Sequence, residues 1–351
     1  MKKKLQYLFL VGATLIFCQC KAQQIITTNK IEAINSFVAK QTEKGFSGSV
    51  LISENNNILF SKGYGFANRE QEIPNNENTL YEIGSITKLF TVIAILQLAD
   101  NGQLSLNDKL SKYFGKFDKP KNQATINHLL IHTAGLVPRG HELNYNSRKE
   151  FVESVKKTPP ESIPGEKYRY TNAGYTMLAA IIEEVSKMSY EDYLTKNIFI
   201  PLNLTNTTTT FEIKDSIQNF ADGYSGKTLD SLKIYKTPDP VWGDRGPGGI
   251  LINVNDLHKF LVGMENKNLI NNEYLQKMYA EQIEGEAYGF HVLNKPDIGK
   301  VLARGGGLPQ FESQIAWYKE KNVKVILLIN NRLRLRQPVW YGIEEILFKK
   351  L

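Results

Sequence analysis

The chain has 351 residues, of which 42% are hydrophobic and 23% charged, and its formal net charge is +7. This composition is ordinary for a globular protein, and the length predicts one large domain or two smaller ones. The charge is too small to indicate a nucleic-acid or anionic-surface partner, and it is smaller still without the N-terminal lysines.

The N-terminus predicts an export signal. Three lysines follow Met1, and the apolar run Leu5–Phe17 comes next, which is typical of a signal peptide with cleavage before Gln23. The apolar run is short for a membrane span. We therefore predict residues 1–22 as a signal peptide and a periplasmic or secreted protein. The alternatives are a lipid anchor on Cys18 or Cys20, or an uncleaved anchor.

Signal removal changes two properties of the chain. Both of its cysteines lie in the predicted signal, so the mature protein has no disulfide framework. The net charge falls from +7 to +3, because Lys2, Lys3, Lys4 and Lys21 leave and no acidic residue does. No membrane span is predicted after cleavage.

Hydrophobic periodicity predicts an α+β fold for residues 23–351. An antiparallel sheet flanked by terminal helices is expected from about 23–80 and 280–351, with a large, mainly helical insertion over about 81–279. The predicted helices are Ile31–Lys44, Leu89–Asp100, Thr125–His132, Ala173–Ser186, Val254–Met264 and Gln337–Lys350. The predicted strands are Gly48–Ser53, Ile58–Phe66, Tyr288–Leu293, Lys300–Ala303, Gln310–Tyr318 and Val323–Ile329.

The most informative motif is a Ser-x-x-Lys pair, Ser85 and Lys88, at the start of the apolar helix Leu89–Leu98. Residues three apart on a helix share a face, so the pair can supply both a nucleophile and its base. Gly84 suits a sharp turn into that helix. The alternative is that Ser85 merely caps the helix. A second pair, Ser154 and Lys157, lies in a polar stretch and is interpreted as a solvated helix face.

A second candidate element is Tyr170-Thr-Asn172, which precedes a predicted helix. Nearby cations can lower the pKa of a tyrosine enough for it to take a serine proton. The Asn172 amide can hydrogen-bond both a substrate carbonyl and Lys88. The alternative is a core aromatic residue followed by a turn.

A third candidate element is Arg304 followed by Gly305, Gly306 and Gly307. Three glycines indicate either a hairpin loop or a strand that another backbone approaches closely. If this segment is an edge strand, an extended substrate can pair with it. The Gly307 and Ser85 N–H groups would then form an oxyanion hole.

Together these three elements resemble the penicillin-recognising serine hydrolases, and more closely their class C β-lactamase-like branch. That branch holds D-alanyl-D-alanine carboxypeptidases, D-aminopeptidases and esterases. The resemblance runs from about residue 30 to 330 in family order. Supporting segments are Gly63-Tyr-Gly-Phe-Ala-Asn, His128-Leu-Leu-Ile-His-Thr-Ala-Gly-Leu136, Gly174–Val185 and Gly248–Leu257.

One residue departs from the family pattern. The branch usually carries Lys-Thr-Gly or His-x-Gly at the third element, where this chain has Arg304-Gly-Gly. Arginine cannot act as a base, but it can clamp a substrate carboxylate or lower the pKa of Lys88 or Tyr170. The departure puts inherited substrate specificity in doubt, including β-lactamase activity.

Two lesser candidates are weighed as structural. His128 and His132 have a spacing that can bind a metal, but the residues between them are typical of a core, so no metal is predicted. Trp242, in a glycine-rich loop, can contact substrate or simply shape the loop. No cofactor is predicted either.

The resemblance implies an exported serine hydrolase that forms a covalent acyl-enzyme. Ser85, Lys88 and Tyr170 are the expected catalytic residues, and the substrate contacts expected are Asn172, Arg304, Gly305, Gly306 and Gly307. The substrate would be a D-amino-acid peptide, a β-lactam or an ester, possibly derived from the cell wall. The alternatives are a non-catalytic protein that binds muropeptides or a partner protein, and a metallohydrolase built on the two histidines.

Overall fold

A computed structural model describes residues 28–137, 144–212, 219–266 and 269–348. The predicted signal peptide lies outside the described residues. Within them, no helix is both long enough and apolar enough to cross a bilayer.

The described helices are α1 (28–42), α2 (Thr87–Asp100), α3 (Ser111–Phe114), α4 (Ile126–Leu130), α5 (Arg148–Lys157), α6 (Asn172–Ser186), α7 (Tyr190–Leu194), α8 (Val254–Glu265), α9 (Asn272–Tyr279) and α10 (Arg336–Phe348). The strands are β1 (Gly48–Glu54), β2 (Asn57–Tyr64), β3 (Phe66–Asn68), β4 (Ile73–Pro74), β5 (Tyr81–Glu82), β6 (Thr207–Thr209), β7 (Tyr224–Ser225), β8 (Lys233–Ile234), β9 (Ile250–Ile252), β10 (His291–Lys295), β11 (Gly299–Gly307), β12 (Glu312–Tyr318) and β13 (Val323–Ile329).

The main sheet has six antiparallel strands in the order β10-β11-β12-β13-β1-β2. Its strands come from both ends of the chain, and most of the helices come from the segment between them. The predicted α+β architecture is therefore confirmed. The limits of the two lobes stay a prediction.

The sheet is buried on both faces, and the strand alternation explains why. Along β1, Val50 and Ile52 face the cluster under α1 and α10, whereas Leu51 faces the helical part. Successive side chains of a strand point to opposite faces, so a central strand is buried along its length and is mostly apolar. Strand β13, Val-Lys-Val-Ile-Leu-Leu-Ile, is buried at all seven positions and has one polar residue, Lys324.

Helix α2 is the centre of the larger core. Every residue from Thr87 to Ala99 is buried, and only Asp100 at its end is exposed. A helix that is apolar all round must be covered on all sides. This burial fixes the N-terminal end of α2, where the Ser-x-x-Lys pair lies, beside the main sheet.

Several element boundaries differ from the sequence predictions, those of β10 and β11 among them. Strand β10 begins at His291 rather than Tyr288, and β11 continues through Arg304 to Gly307 instead of ending at Ala303. Strand β11 continues because Arg304–Gly307 pair with Ile315–Glu312 of β12, and this tertiary pairing overrides the weak strand preference of glycine. The glycine segment is therefore a strand and not a hairpin loop.

Candidate active site

A tight turn places Ser85 just before α2. Residues Gly84–Ile86 form a single 3₁₀ turn, and Gly84 has a φ of +50°, which other residues rarely adopt. A β-carbon built on Gly84 would lie 3.1 Å from the Gly307 nitrogen. The turn therefore brings the backbone of Ser85 beside the last residue of β11.

Lys88 lies in the first turn of α2 and its side chain is completely buried. Its Nζ is 3.2 Å from Ser85 Oγ, and it donates to Asn172 Oδ1 at 2.9 Å and to the Pro247 carbonyl at 3.2 Å. These three oxygens hold the amine in a single position. The lone pair of the neutral amine, or one proton of its charged form, is therefore directed at the serine hydroxyl.

The surroundings of Lys88 favour its neutral form. Burial lowers the pKa of Lys88 to about 8, and the Arg304 cation acts in the same direction, while Tyr170 raises it. With this pKa, about a tenth of the amine is unprotonated at pH 7, and the fraction rises steeply above that pH. In that form it can accept a proton from Ser85.

Tyr170 approaches the same hydroxyl from the segment before α6, with its OH 2.9 Å from Ser85 Oγ. Burial by itself would raise the pKa of Tyr170, but the Lys88 and Arg304 cations outweigh it and bring the value down to about 8. Ser85 is therefore in contact with two groups that can each take its proton.

Asn172 is the first residue of α6, and local hydrogen bonds set its position. The preceding Thr171 accepts the Ala173 N–H with its side chain and caps the helix. The Thr171 N–H in turn donates to Nδ1 of the buried His132. This arrangement aims the Asn172 side chain at Lys88.

Arg304 is buried, with 1% of its surface exposed, and its guanidinium points at the Ser85 turn. Its Nε donates to the Ser85 carbonyl at 3.4 Å, and its Nη2 donates to the Tyr170 hydroxyl at 3.2 Å. Such a placement leaves little of the guanidinium for a substrate carboxylate. It puts a permanent positive charge against Tyr170.

The glycines of β11 differ in what surrounds them. A β-carbon on Gly306 would meet the Ile83 carbonyl at 2.0 Å and Ser313 Oγ at 2.3 Å. A β-carbon on Gly307 would meet no atom within 4 Å. Gly306 is therefore needed for the close approach of β11 to the Ser85 turn, whereas Gly307 lines open space.

Replacing Gly306 with alanine is expected to destabilise the protein by about 1–3 kcal/mol, because the added methyl group overlaps backbone that must move. Chemical unfolding measures this change. Gly307→Ala is the control, and its stability should stay within about 0.5 kcal/mol of the parent. Equal stabilities for the two variants would contradict this account.

The two histidines weighed as metal ligands have structural contacts. His128 forms a capping box with Thr125 at the start of α4. Burial, with the Arg304 and Lys88 cations, holds the pKa of His132 well below its usual range, so its ring is neutral. Within the described ranges, no group of three or more His, Cys, Asp or Glu side chains could hold a metal ion.

The loop around Trp242 contributes a group that sequence reasoning missed. Its Pro247 carbonyl accepts a hydrogen bond from Lys88, and its Gly246 carbonyl accepts one from Thr91. Trp242 packs against Phe151 and donates to Glu183. The loop therefore packs against α2 beside Lys88 and helps to fix the position of its amine. A backbone acceptor has no side-chain signature, so no sequence signal could have identified it.

Comparison with known proteins gives consistent matches over most of the chain. Penicillin-binding protein 4* of Bacillus subtilis is 28% identical, covering 86% of this chain and 72% of that protein. Teichoic acid D-alanine hydrolase of Staphylococcus aureus is 31% identical, covering 83% and 73%.

Solved structures agree with the fold. The penicillin-binding protein of Bacillus halodurans superposes with a TM-score of 0.76 at 26% identity, covering 87% of this chain and 98% of the other. FmtA of Staphylococcus aureus gives a TM-score of 0.78 at 25% identity, covering 92% and 88%. The family model described as Beta-lactamase matches residues 34–347. With this match over nearly the whole chain, the protein belongs to the Beta-lactamase family, and at family level it is a serine hydrolase.

Proposed function

We propose that the protein is an exported serine hydrolase that cleaves an amide or ester through an acyl-enzyme on Ser85. One observation carries the proposal: Ser85 Oγ lies within hydrogen-bond distance of both Lys88 Nζ and Tyr170 OH. Both of these groups have a pKa of about 8. A serine hydroxyl needs such a base beside it to become a nucleophile.

The proposed reaction has two halves. Ser85 Oγ attacks the substrate carbonyl while its proton passes to the Lys88–Tyr170 pair, and the same pair then protonates the departing amine or alcohol. A water molecule next attacks the acyl-enzyme, giving its proton to the pair, and the acid product leaves as Ser85 recovers its hydrogen. Either Lys88 or Tyr170 can be the base in this scheme.

The developing negative charge on the carbonyl oxygen needs two donors. The N–H groups of Ser85 and Gly307 are the proposed oxyanion hole, supported by the close approach of Gly84 to Gly307. Asn172 is proposed to bind the substrate through its amide while also accepting the hydrogen bond from Lys88. Arg304 is proposed to act through its field at Tyr170 rather than as a carboxylate clamp.

The substrate is proposed to lie along the free side of β11. Strand β10 pairs only with Gly299–Ala303, so Arg304–Gly307 have a described strand neighbour only on the β12 side. An extended chain can add to such an edge through its backbone. D-alanyl groups are the first substrates to test, because one relative is named teichoic acid D-alanine hydrolase.

The test is covalent labelling. Purified protein is incubated with a fluorophosphonate and, separately, with a labelled penicillin, and the intact mass is measured. A single adduct on Ser85 is expected from the fluorophosphonate. A lasting penicillin adduct would favour a peptidase-like site. Without one, following penicillin consumption separates rapid β-lactam turnover from esterase or peptidase activity.

The alternative predicted from the sequence, a non-catalytic binding protein, depended on the unusual Arg304. The contacts of Arg304 with Ser85 and Tyr170 favour an enzyme, since they place its charge where a base must lose a proton. No adduct from either probe in a folded protein would favour the binding protein instead.

The labelling rate is expected to depend on pH in one direction. The Lys88–Tyr170 pair must lose one proton before it can accept another, and both groups have a pKa of about 8. As a coupled pair they lose their two protons in two macroscopic steps, and the first step is the one that frees a base for Ser85. The second-order rate should therefore rise about tenfold per pH unit below about 8 and level off above it. A flat profile from pH 6 to 9 would contradict the assignment.

A further inference from the structure

A buried carboxylate lies behind the site. Glu286, in the segment between α9 and β10, has 1% of its surface exposed. Its Oε1 accepts a hydrogen bond from the Tyr168 hydroxyl at 2.6 Å and lies 2.8 Å from His291 Nδ1. A carboxylate is costly to bury unless it is paired with a positive charge or well hydrogen-bonded.

The other oxygen of Glu286 faces Arg304. Glu286 Oε2 lies 3.8 Å from Arg304 Nη1, and both side chains are almost completely shielded from water. Neither of these two atoms has a hydrogen-bond partner among the described residues. The other two guanidinium nitrogens, Nε and Nη2, donate to the Ser85 carbonyl and to the Tyr170 hydroxyl. The guanidinium therefore lies between Glu286 on one side and the Ser85 turn on the other.

We propose that Glu286 is a positioning residue for Arg304: its carboxylate orients the guanidinium toward Ser85 and Tyr170 and offsets its charge at the reacting groups. The inference rests on the proposed function of Ser85. It also explains how this chain carries an arginine where the resemblance implies lysine or histidine. Those residues can lose a proton when buried, but arginine cannot, so its charge needs a permanent partner.

The charge count supports this role. With Glu286 and Arg304 offsetting each other, a neutral site results when the Lys88–Tyr170 pair has lost one proton. The Arg304 cation lowers the pKa of Lys88, whereas Glu286 raises it. The two buried charges thus act on the same base in opposite directions.

The groups that face this ion pair come from several elements. They are Lys88 on α2, His132 after α4, Tyr168 and Tyr170 before α6, Tyr175 on α6 and His291 on β10. Of these, His291 is half-exposed and links Glu286 to the surface. Among the described residues, Glu286 is the only carboxylate within ion-pair distance of Arg304.

The test compares four proteins: the parent, Glu286→Gln, Arg304→Gln and the double variant. The rate of Ser85 labelling by a fluorophosphonate is measured from pH 5 to 10. The acid limb, which is the part of the profile where the labelling rate rises with pH, should move to lower pH in Glu286→Gln and to higher pH in Arg304→Gln. Each shift should be about half a pH unit or more. The double variant should return toward the parent position. Shifts in the same direction, or none, would overturn the inference.

A control separates this role from a general loss of packing. Glu191 is also a buried carboxylate, and it pairs with Arg245 at 2.8 Å. Glu191→Gln is expected to lower the melting temperature without moving the acid limb. If it moves the limb as far as Glu286→Gln does, the effect is not specific to the Arg304 contact and the inference fails.

Thermal unfolding of the same four proteins gives a readout that needs no reaction. Glu286→Gln should lower the melting temperature much more when Arg304 is present than when it is replaced, because only then is a buried cation left unpaired. Additive changes would overturn the inference. If the parent fails to label but the melting temperatures are non-additive, the ion pair stands and the proposed function is what fails.

Discussion

Replacing Ser85 with alanine is expected to reduce turnover of any substrate by about 10,000-fold or more while the fold stays intact. Removal of a nucleophile from a serine hydrolase has losses of this order, since the residual rate comes only from binding and the oxyanion donors. The hydroxyl contacts Lys88 and Tyr170 and does not belong to the apolar core. Hydrolysis of a p-nitrophenyl ester and labelling by a fluorophosphonate measure the loss.

The chain supplies a matched control for this variant. Ser154 and Lys157 repeat the Ser-x-x-Lys spacing on α5, where Ser154 contacts Tyr145. Ser154→Ala should keep the full rate, because Lys157 is exposed to solvent, whereas Lys88 is buried against Ser85. Retained activity in Ser85→Ala, with a loss in Ser154→Ala, would contradict the assignment of the nucleophile.

Replacing Lys88 with methionine is expected to lower the rate by about 100- to 10,000-fold, the range for loss of a positioned general base. Methionine is similar in length and apolar, so it fills the buried space that Lys88 occupies. It also leaves Asn172 Oδ1 and the Pro247 carbonyl without their donor, so some stability should be lost as well. Steady-state kinetics at pH 9 measures the effect.

Lys157→Met is the control for this substitution and should have the parental rate, since Lys157 lies on the exposed side of α5. A parallel measurement on Tyr170→Phe separates the two candidate bases. If Lys88→Met keeps the parental rate while Tyr170→Phe loses it, the lysine is not required for proton transfer, and the expected effect of Lys88→Met is wrong.

The parts of the fold with a strong local signal were predictable. Helix α2 and strand β13 are largely apolar, and their lengths and residue types predict a helix and a strand. The end of β11 was not predictable in the same way. Glycine has a low strand preference, and only the pairing of Gly305–Gly307 with β12 makes this segment a strand.

For the site, sequence by itself determined the Ser85–Lys88 relationship, because residues three apart at the start of a helix must share a face. Local sequence made Tyr170, Asn172 and Arg304 candidates, and the motif resemblance joined them to Ser85 in one site. The structure brings all three within hydrogen-bonding range of Ser85 or Lys88. Which of the two residues each of them contacts, and through which atom, could not be deduced from sequence spacing.

Only the tertiary structure decided how the charges are arranged. The burial of Arg304, the Pro247 carbonyl behind Lys88 and the carboxylate of Glu286 each depend on segments far apart in the chain. The pKa of a buried group depends on which charges pack against it, and packing is set by the whole fold. Sequence therefore determined which chemical groups this protein has for its reaction, and the packed structure decided which of them ionise, and against which partner.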